Sequence, residues 1–405
     1  MNRTAKAGFL LGLVMWSALL LAGGYALRMM TAPVEQRIMR IYGAGNHHAL
    51  LDEAWALVEA HFVGEVPDAT TREYGAIRGA LSTLNDPYTV FIEPAPRAIE
   101  RDHMRGTFGG IGVRLQRTPE GRIVLSPTPD GPAAHAGARE GDILLAIDGE
   151  PLPFPARIED AMRLRGEVGT RVVIEVLRGE QRLTFTLTRA HIELPSVEQR
   201  ILTTTLAGTA LPVGYIAIRS FNERTATQLE AALRALDQAN VRGYVLDLRD
   251  NSGGLLAAAV ESASFFLRDR VVAYEVRRGQ EIAHRTQARA PALLTQPMVV
   301  LVNENTASAA EVLAAALREH QRGVLVGQKT LGKGSVQFVF ELRDGSAVRL
   351  TAAHWLTPQR MQIDGKGLMP DVLAAGDPEQ QLQAALQTLI ARLQPTPEAH
   401  HNALR

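Results

Sequence analysis

From residue 212 onward the sequence alternates short apolar strands with amphipathic helices, and this rhythm limits the fold more than any other feature. "VGYIAIRSF" reads as a strand and "ERTATQLEAALRALDQAN" as a helix; "GYVLDLRD" reads as a short buried strand and "GLLAAAVESASFFL" as a helix. "MVVLVN", "SAAEVLAAALREH" and "GVLVGQ" repeat the strand, helix, strand order. Repetition of that unit predicts an α/β core with a largely parallel sheet. Functional groups in such a core collect where strands end and helices begin.

The rest of the 405 residues cannot join one core of ordinary size, so the chain is multidomain. Residues 44–105 read as helical: "ALLDEAWALVEAHFV" places Leu50, Leu51, Trp55, Val58 and Phe62 on one face, and "REYGAIRGALSTL" ends at the turn-like Asn85–Pro87. From Gly106 to residue 190 the texture becomes β-rich, with the strand "DILLAI" running into an Asp148-Gly149 hairpin, a helix candidate at 156–165, and the strands "RVVIEVLR" and "LTFTLTR" about a turn at Gly179. Residues 376–405 read as a last helix and a polar tail. At the other end, Arg3 and Lys6 precede an apolar run from Gly8 to Leu27. Twenty residues at about 1.5 Å each span a bilayer core of about 30 Å. Positive charge ahead of the run favours a cytoplasmic tip and anchor over residues 1–30, with the remainder outside. A cleaved signal peptide is the competing reading; the run is long for one.

Formal net charge is zero, so nothing argues for nucleic acid as a partner. Cysteine is absent, which excludes a thiol nucleophile, disulfides and thiolate metal sites. Lysine occurs only at Lys6, Lys329, Lys333 and Lys366; the other 39 of the 43 basic residues are arginines. Base composition explains most of that bias, yet a chain so depleted keeps lysine where arginine cannot serve, and arginine cannot lose its proton.

Ser308 follows the strand "MVVLVN" at the mouth of a helix. Ser308-Ala-Ala-Glu311 fits a capping box, which is the stronger reading of these residues taken alone; the functional reading is a nucleophile on a strand-to-helix turn whose N–H groups hold an oxyanion. Lys333 lies in "GQKTLGKGSVQFVFEL", where the spacing of Gly327, Gly332 and Lys333 imitates a P-loop. A strand-like segment follows it instead of a helix, and Gly334 stands where Ser or Thr is required, so nucleotide binding is set aside. "RDNSGG" at 249–254 imitates a trypsin-like serine signature around Ser252, but it sits between a parallel-type strand and a helix, and no upstream histidine has a recognisable context. Its glycines Gly253 and Gly254 read as the opening of that helix, with a free N–H. Asp247 and Asp250 read as charged caps of a strand end, with a paired-carboxylate site as the alternative. No histidine spacing resembles a metal site.

Taken in order, "DPYTVF" at 86–91, "GGIGV" at 109–113, "GYIAIRSF" at 214–221, "VLDLRDNSGGLL" at 245–256, "NENTASAAE" at 303–311, "GKGSVQ" at 332–337 and "GKGLMPDV" at 365–372 resemble the carboxyl-terminal processing (tail-specific) proteases, over about residues 50–375. The resemblance implies a PDZ domain (106–190) inserted into or preceding a Ser-Lys protease core (191–375) of the crotonase and Clp protease type. It implies Ser308 as nucleophile, Lys333 as base and Gln337 as the residue that orients it, since residues four apart in a strand share a face. It implies an oxyanion hole from the N–H groups of Gly254 and Ala309. Gly109, Gly110, Ile111, Gly112 and Val113 would receive a peptide's terminal carboxylate while the adjoining strand pairs with the peptide. Arg165 matches best an arginine through which the PDZ domain contacts the core. Ser252, where the family usually has proline, and "DPYT" depart from the pattern without touching the triad.

The implied chemistry needs neither cofactor nor metal. Burial without a carboxylate partner lowers a lysine pKa, so a neutral Lys333 takes the Ser308 proton and passes it to the leaving amine. The expected partners are proteins with exposed C-terminal tails, a membrane through the N-terminal helix, and by analogy a second copy or an adaptor. The expected location is the periplasmic face of a bacterial inner membrane. A non-catalytic PDZ scaffold or chaperone on a decayed core is the alternative, disfavoured by the intact Ser308, Lys333 and Gln337.

Overall fold

The computed structural model describes residues 49–287 and 295–394. The apolar run 8–27 lies outside them, and among the described residues no helix is long and apolar enough to cross a membrane. The chain divides into two compact units, Met1–Gly75 and Ala76–Arg405. The first contains α1 (Ala49–His61) and the opening of α2 (Ala69–Ser82). Arg72 lies 5.1 Å from the Trp55 ring centre and pairs with Glu59. On the apolar stripe Leu50 is exposed by 81 %, Trp55 and Val58 are half-buried, and Phe62, just past the helix, is exposed by 57 %.

The second unit begins its sheets with β1 (Val90–Ile92), then α3 (Pro94–Arg105) and β2 (Thr107–Gly110). Reading 44–105 as helical therefore missed a strand: three residues are too few to show a period, and β1 exists because it pairs antiparallel with a strand far along the chain. Next come β3 (Val113–Arg117), β4 (Ile123–Pro127), α4 (Pro132–His135), β5 (Asp142–Ile147), β6 (Glu150–Pro151), a 3-10 turn at Ile158–Leu164, β7 (Arg171–Arg178) and β8 (Gln181–Thr188). The candidate helix at 156–165 is that 3-10 turn. Asp148 and Gly149 take φ values of 52° and 79°, which gives the expected hairpin its primed turn. The strands form one antiparallel sheet in the order β3-β4-β5-β7-β8, closed over a core of its own that includes Ile111, Leu125, Ile147 and Ile174.

The chain leaves this module through β9 (Ala190–Glu193), which pairs with β2, the strand by which it entered. It continues as β10 (Val197–Leu206), β11 (Thr209–Ile218), α5 (Thr225–Gln238), β12 (Tyr244–Asp247), α6 (Leu256–Ala263), β13 (Val271–Arg277), β14 (Gln280–Arg285), β15 (Met298–Val302), α7 (Ala309–Glu319), β16 (Val324–Gly327), β17 (Ser335–Glu341), β18 (Ala347–Leu356), β19 (Val372–Leu373) and α8 (Pro378–Leu393). The order β10-β11-β12-β15-β16-β19 makes the main sheet, parallel from β11 onward. Strand periodicity divides it into two cores. Met298, Val300 and Val302 of β15 pack with α5, α6 and α7, while Val299 and Leu301 face Leu382, Ala385 and Leu389 of α8.

A second, antiparallel sheet (β1-β18-β13-β14, with β17 on β18) was not anticipated. Its hairpin β13–β14 turns at Arg278-Gly279, with φ values of 47° and 80°. Because β1 precedes the antiparallel module and its partner β18 follows it, the module is an insertion within the core. Leu313, in the middle of α7, is fully buried among α5–α7. Leu313→Ala should cost about 2–5 kcal/mol in equilibrium chemical unfolding, and a loss under about 1 kcal/mol would contradict dense packing there.

Candidate active site

Two strand ends build one side of the site. The parallel pairing of β12 with β15 ends at Asp247 opposite Leu301, and Leu248 N–H still donates to Leu301 C=O at 2.9 Å. Both chains then leave the sheet side by side, one as 248–255 and the other as 303–308. They are laced together. Thr306 Oγ1 donates to Leu248 C=O at 2.8 Å, Ala307 N–H to Asn251 C=O at 2.9 Å, and Asp250 accepts from Asn303 Nδ2 at 2.8 Å and Asn305 Nδ2 at 2.9 Å. These amide donors hold the Asp250 carboxyl below its ordinary range. Asp247 is committed elsewhere: it takes Arg249 in a buried pair at 2.6 Å and the Tyr215 hydroxyl at 2.7 Å. Neither aspartate is free for acid–base work, and both act as fixtures of the strand end.

Ser308 is the half-buried residue before α7, with φ 55° and ψ −121°. For a non-glycine residue such backbone stores about 1–3 kcal/mol, held by the surrounding structure. Its N–H donates to Glu311 Oε2 at 2.9 Å, so the glutamate half of the capping box is formed, while the Ser308 hydroxyl makes no cap hydrogen bond of standard geometry. The glycines of 253–254 do not open a helix, since α6 starts at Leu256. They are backbone in close quarters. A Cβ on Gly253, at φ 103°, would stand 2.8 Å from Ser308 Cβ and 3.1 Å from Ala309 N; one on Gly254, at φ 135°, would stand 2.1 Å from Phe221 C=O. Phe221 holds the loop by donating to Gly253 C=O at 2.9 Å and accepting from Leu255 N–H at 2.8 Å. Among the described residues no backbone acceptor takes the N–H of Gly254 or of Ala309, the first residue of α7. Ser252 is exposed. The histidines with side-chain hydrogen bonds, His284 and His320, bind Glu275 and the Val271 carbonyl.

Lys333 arrives on the loop between β16 and β17. Its N–H donates to Glu311 Oε2 at 2.9 Å and its C=O accepts from Trp355 Nε1 at 3.0 Å. One oxygen atom thus accepts from the backbone of Ser308 and of Lys333, so their nitrogens are no further apart than twice that distance. Gly332, at φ 89°, and Gly334 allow this approach: Cβ atoms there would lie 2.6 Å from Gly367 N and 2.7 Å from Asp364 Cβ. The amine is half-buried, and burial, aided by the Arg349 charge, holds its pKa below the ordinary lysine value. Among the described residues no carboxylate pairs with it; its neighbour is the Tyr88 ring, centred 4.9 Å from Nζ.

Gln337 differs from the expectation in one respect. Lys333 lies outside β17, which begins at Ser335, and β17 carries a bulge between Val336 and Gln337, so strand alternation does not relate the two residues. The Gln337 amide donates to Ser335 Oγ at 2.8 Å and reaches Thr351 Oγ1 at 3.5 Å. Thr351 N–H donates in turn to Thr89 Oγ1 at 3.1 Å, and Thr89 Oγ1 to Asp86. The 86–89 turn, read from sequence as punctuation, is therefore a wall of the site, and Tyr88 was missed.

In the inserted module, the carbonyls of Ile111 and Gly112 turn inward, accepting from Ala133 N–H and Thr128 N–H at 2.9 Å each. Val113 opens β3, an edge strand paired only with β4. Gly109 and Gly110 belong to the β2–β9 ladder, and a Cβ on Gly109 would meet Gly166 C=O at 2.0 Å. Arg165 stacks on Phe108, 4.2 Å from the ring centre, and its buried Nη1 has no hydrogen-bond partner.

Residues 212–374 match Peptidase family S41, and residues 123–178 match the PDZ domain. The chain is 33% identical over 356 residues to carboxyl-terminal-processing peptidase 2, chloroplastic, of Arabidopsis thaliana, covering 82% of this chain and 69% of that protein. It is 36% identical over 321 residues to the carboxyl-terminal-processing protease of Synechocystis sp., covering 78% and 74%. With the protein of that name from Picosynechococcus sp. the identity is 34% over 349 residues, covering 83% of each. The chain belongs to the carboxyl-terminal-processing proteases of Peptidase family S41, a PDZ-bearing group of serine-type peptidases.

Gly254→Ala adds a carbon where Phe221 C=O already stands and forces an L side chain to φ 135°. It should lower the melting temperature by several degrees, equivalent to about 1–3 kcal/mol. A melting curve superimposed on the wild type would contradict the described loop.

Proposed function

We propose that this peptidase is an endopeptidase that uses Ser308 as nucleophile, Lys333 as general base and Gln337 as a support of the base, on proteins engaged by their C-terminal tails. The observation that carries the reading is the shared Glu311 oxygen, which holds Ser308 and Lys333 backbone to backbone beneath a half-buried amine. As Ser308 Oγ attacks the scissile carbonyl carbon, Lys333 Nζ removes its proton. The carbonyl π electrons move to oxygen, and the N–H groups of Gly254 and Ala309 receive that charge at the positive end of α7. Lys333 returns the proton to the leaving amine, and a water then repeats the sequence on the acyl-serine. Tail recognition falls to residues 109–113, where β2 turns into β3: the carbonyls of Ile111 and Gly112 are taken up inside the module, which suits N–H groups of this turn to a terminal carboxylate, and the free edge of β3 suits an added peptide strand. Arg165, packed on Phe108 at the start of that loop, is assigned to coupling between the domain and the core. The run 8–27 behind Arg3 and Lys6 supports a membrane anchor with the catalytic part outside the cytoplasm.

Ser308→Ala and Lys333→Ala should each abolish cleavage of β-casein while the fold persists, with products followed by mass spectrometry; full activity in either variant refutes the assignment. Lys333→Arg should be equally inactive, because the site needs a neutral amine. Ser252→Ala should keep most of its activity.

The active base is the deprotonated amine, so kcat/KM should rise with pH through the Lys333 pKa. Burial and Arg349 depress that pKa, which places the acid limb below the ordinary lysine range. Arg349→Gln removes a positive charge and takes from Glu100 its nearer partner, at 2.7 Å, leaving it only Arg97 at 3.7 Å. Both changes favour the ammonium, so the limb should move to higher pH. An unmoved or lowered limb in the rate profile would separate Lys333 from the titration.

A further inference from the structure

Glu311 is fully buried and is surrounded by donors. Oε1 accepts from the Thr330 hydroxyl and from Gly332 N–H at 2.8 Å; Oε2 accepts from Ser308 N–H and Lys333 N–H, both at 2.9 Å. Two carboxylate oxygens have about four lone-pair sites, and four donors occupy them. Thr330 is fixed independently, since its Oγ1 also accepts from Leu368 N–H at 2.7 Å. The side chain starts on the first turn of α7 and ends under the Lys333 loop, so it ties together two chain segments more than twenty residues apart.

We infer that Glu311 is a positioning residue for the reaction, with Oε2 setting the separation of nucleophile and base. This rests on the Ser308–Lys333 reading above. The arrangement has a second effect. The buried Glu311 carboxylate spends its acceptor sites on backbone N–H groups and one hydroxyl, so it has none left for the Lys333 amine. The base stays without an anionic hydrogen-bond partner although a negative charge lies under its own backbone. A helix cap alone requires only the Ser308 contact; Lys333, Gly332 and Thr330 are additional, and they make one carboxylate common to both halves of the dyad.

The test is steady-state kinetics on a quenched-fluorescence peptide substrate with the whole chain, well below the melting temperature of each variant. Glu311→Gln keeps the shape but turns an NH2 group toward one pair of donors. Glu311→Asp keeps the charge but is one methylene short. Both should reduce kcat on the order of 10²-fold, the cost of displacing reacting groups by about 1 Å, with KM changed less than about threefold. In Glu311→Asp the acid limb of the pH profile should not move. A partly unfolded population would also lower the apparent kcat with KM unchanged, but it would show in the melting curve and its activity would recover on cooling, whereas the loss from mispositioning persists in fully folded enzyme. Wild-type kcat in either folded variant overturns the inference, as does failure of both to fold, which would make the carboxylate a folding requirement only. Ser308→Ala and Lys333→Ala run in parallel separate the two claims: inactive dyad variants beside an active Glu311→Gln remove only the role of Glu311, whereas an active dyad variant removes the reading on which it rests.

Discussion

The parallel hydrogen bonding between β12 and β15 is the constraint from which the site follows. Adjacent parallel strands end at the same level, so the two chains leaving them emerge as neighbours. Asn251, Thr306 and Asp250 then fasten those chains to each other, and Gly253 carries no Cβ to press on Ser308, as Gly254 carries none to press on Phe221. What remains at the mouth of α7 is a half-buried serine at positive φ beside two N–H groups for which there is no backbone acceptor among the described residues. None of this depends on the inserted module, whose core is separate.

The third wall of the site has a different origin. The Lys333 loop hangs between the parallel sheet and the antiparallel one, fastened to the first through Glu311 and to the second through Trp355. The second sheet also recruits β1, and with it Thr89 and Tyr88, from before the insertion. A segment more than two hundred residues upstream thus shields the amine that the core presents. Burial and the Arg349 charge hold the Lys333 pKa below its ordinary value, while the Tyr88 ring face works in the opposite direction.

The parallel core was legible in the sequence because its strands are apolar throughout, and β15, "MVVLV", is buried at every position. The hairpins at Asp148-Gly149 and Gly179 were legible because their turns demand positive φ. Ser308 and Lys333 could be singled out by context and by lysine depletion. Strand β1 escaped because it is too short to show alternation and its partner β18 lies far along the chain, and β13 and β14 escaped because their hairpin turns at Arg278-Gly279, which has no Asn-Gly or Asp-Gly signature. Glu311 was visible only as a helix cap, because the three donors that redefine it come from a loop about twenty residues away. The bulge at Gln337 has no local signature, so strand periodicity misjudged its relation to Lys333.

The ladder between β2 and β9 closes with Leu194 N–H donating to Gly106 C=O at 2.9 Å. The chain therefore departs for the PDZ domain and comes back through neighbouring backbone, like the two wires of a plug. Everything beyond that socket can grow, shrink or be exchanged without rerouting a single strand of the hydrolytic body. A change of length or composition in the inserted module and the order of strands in the core are thereby made topologically independent.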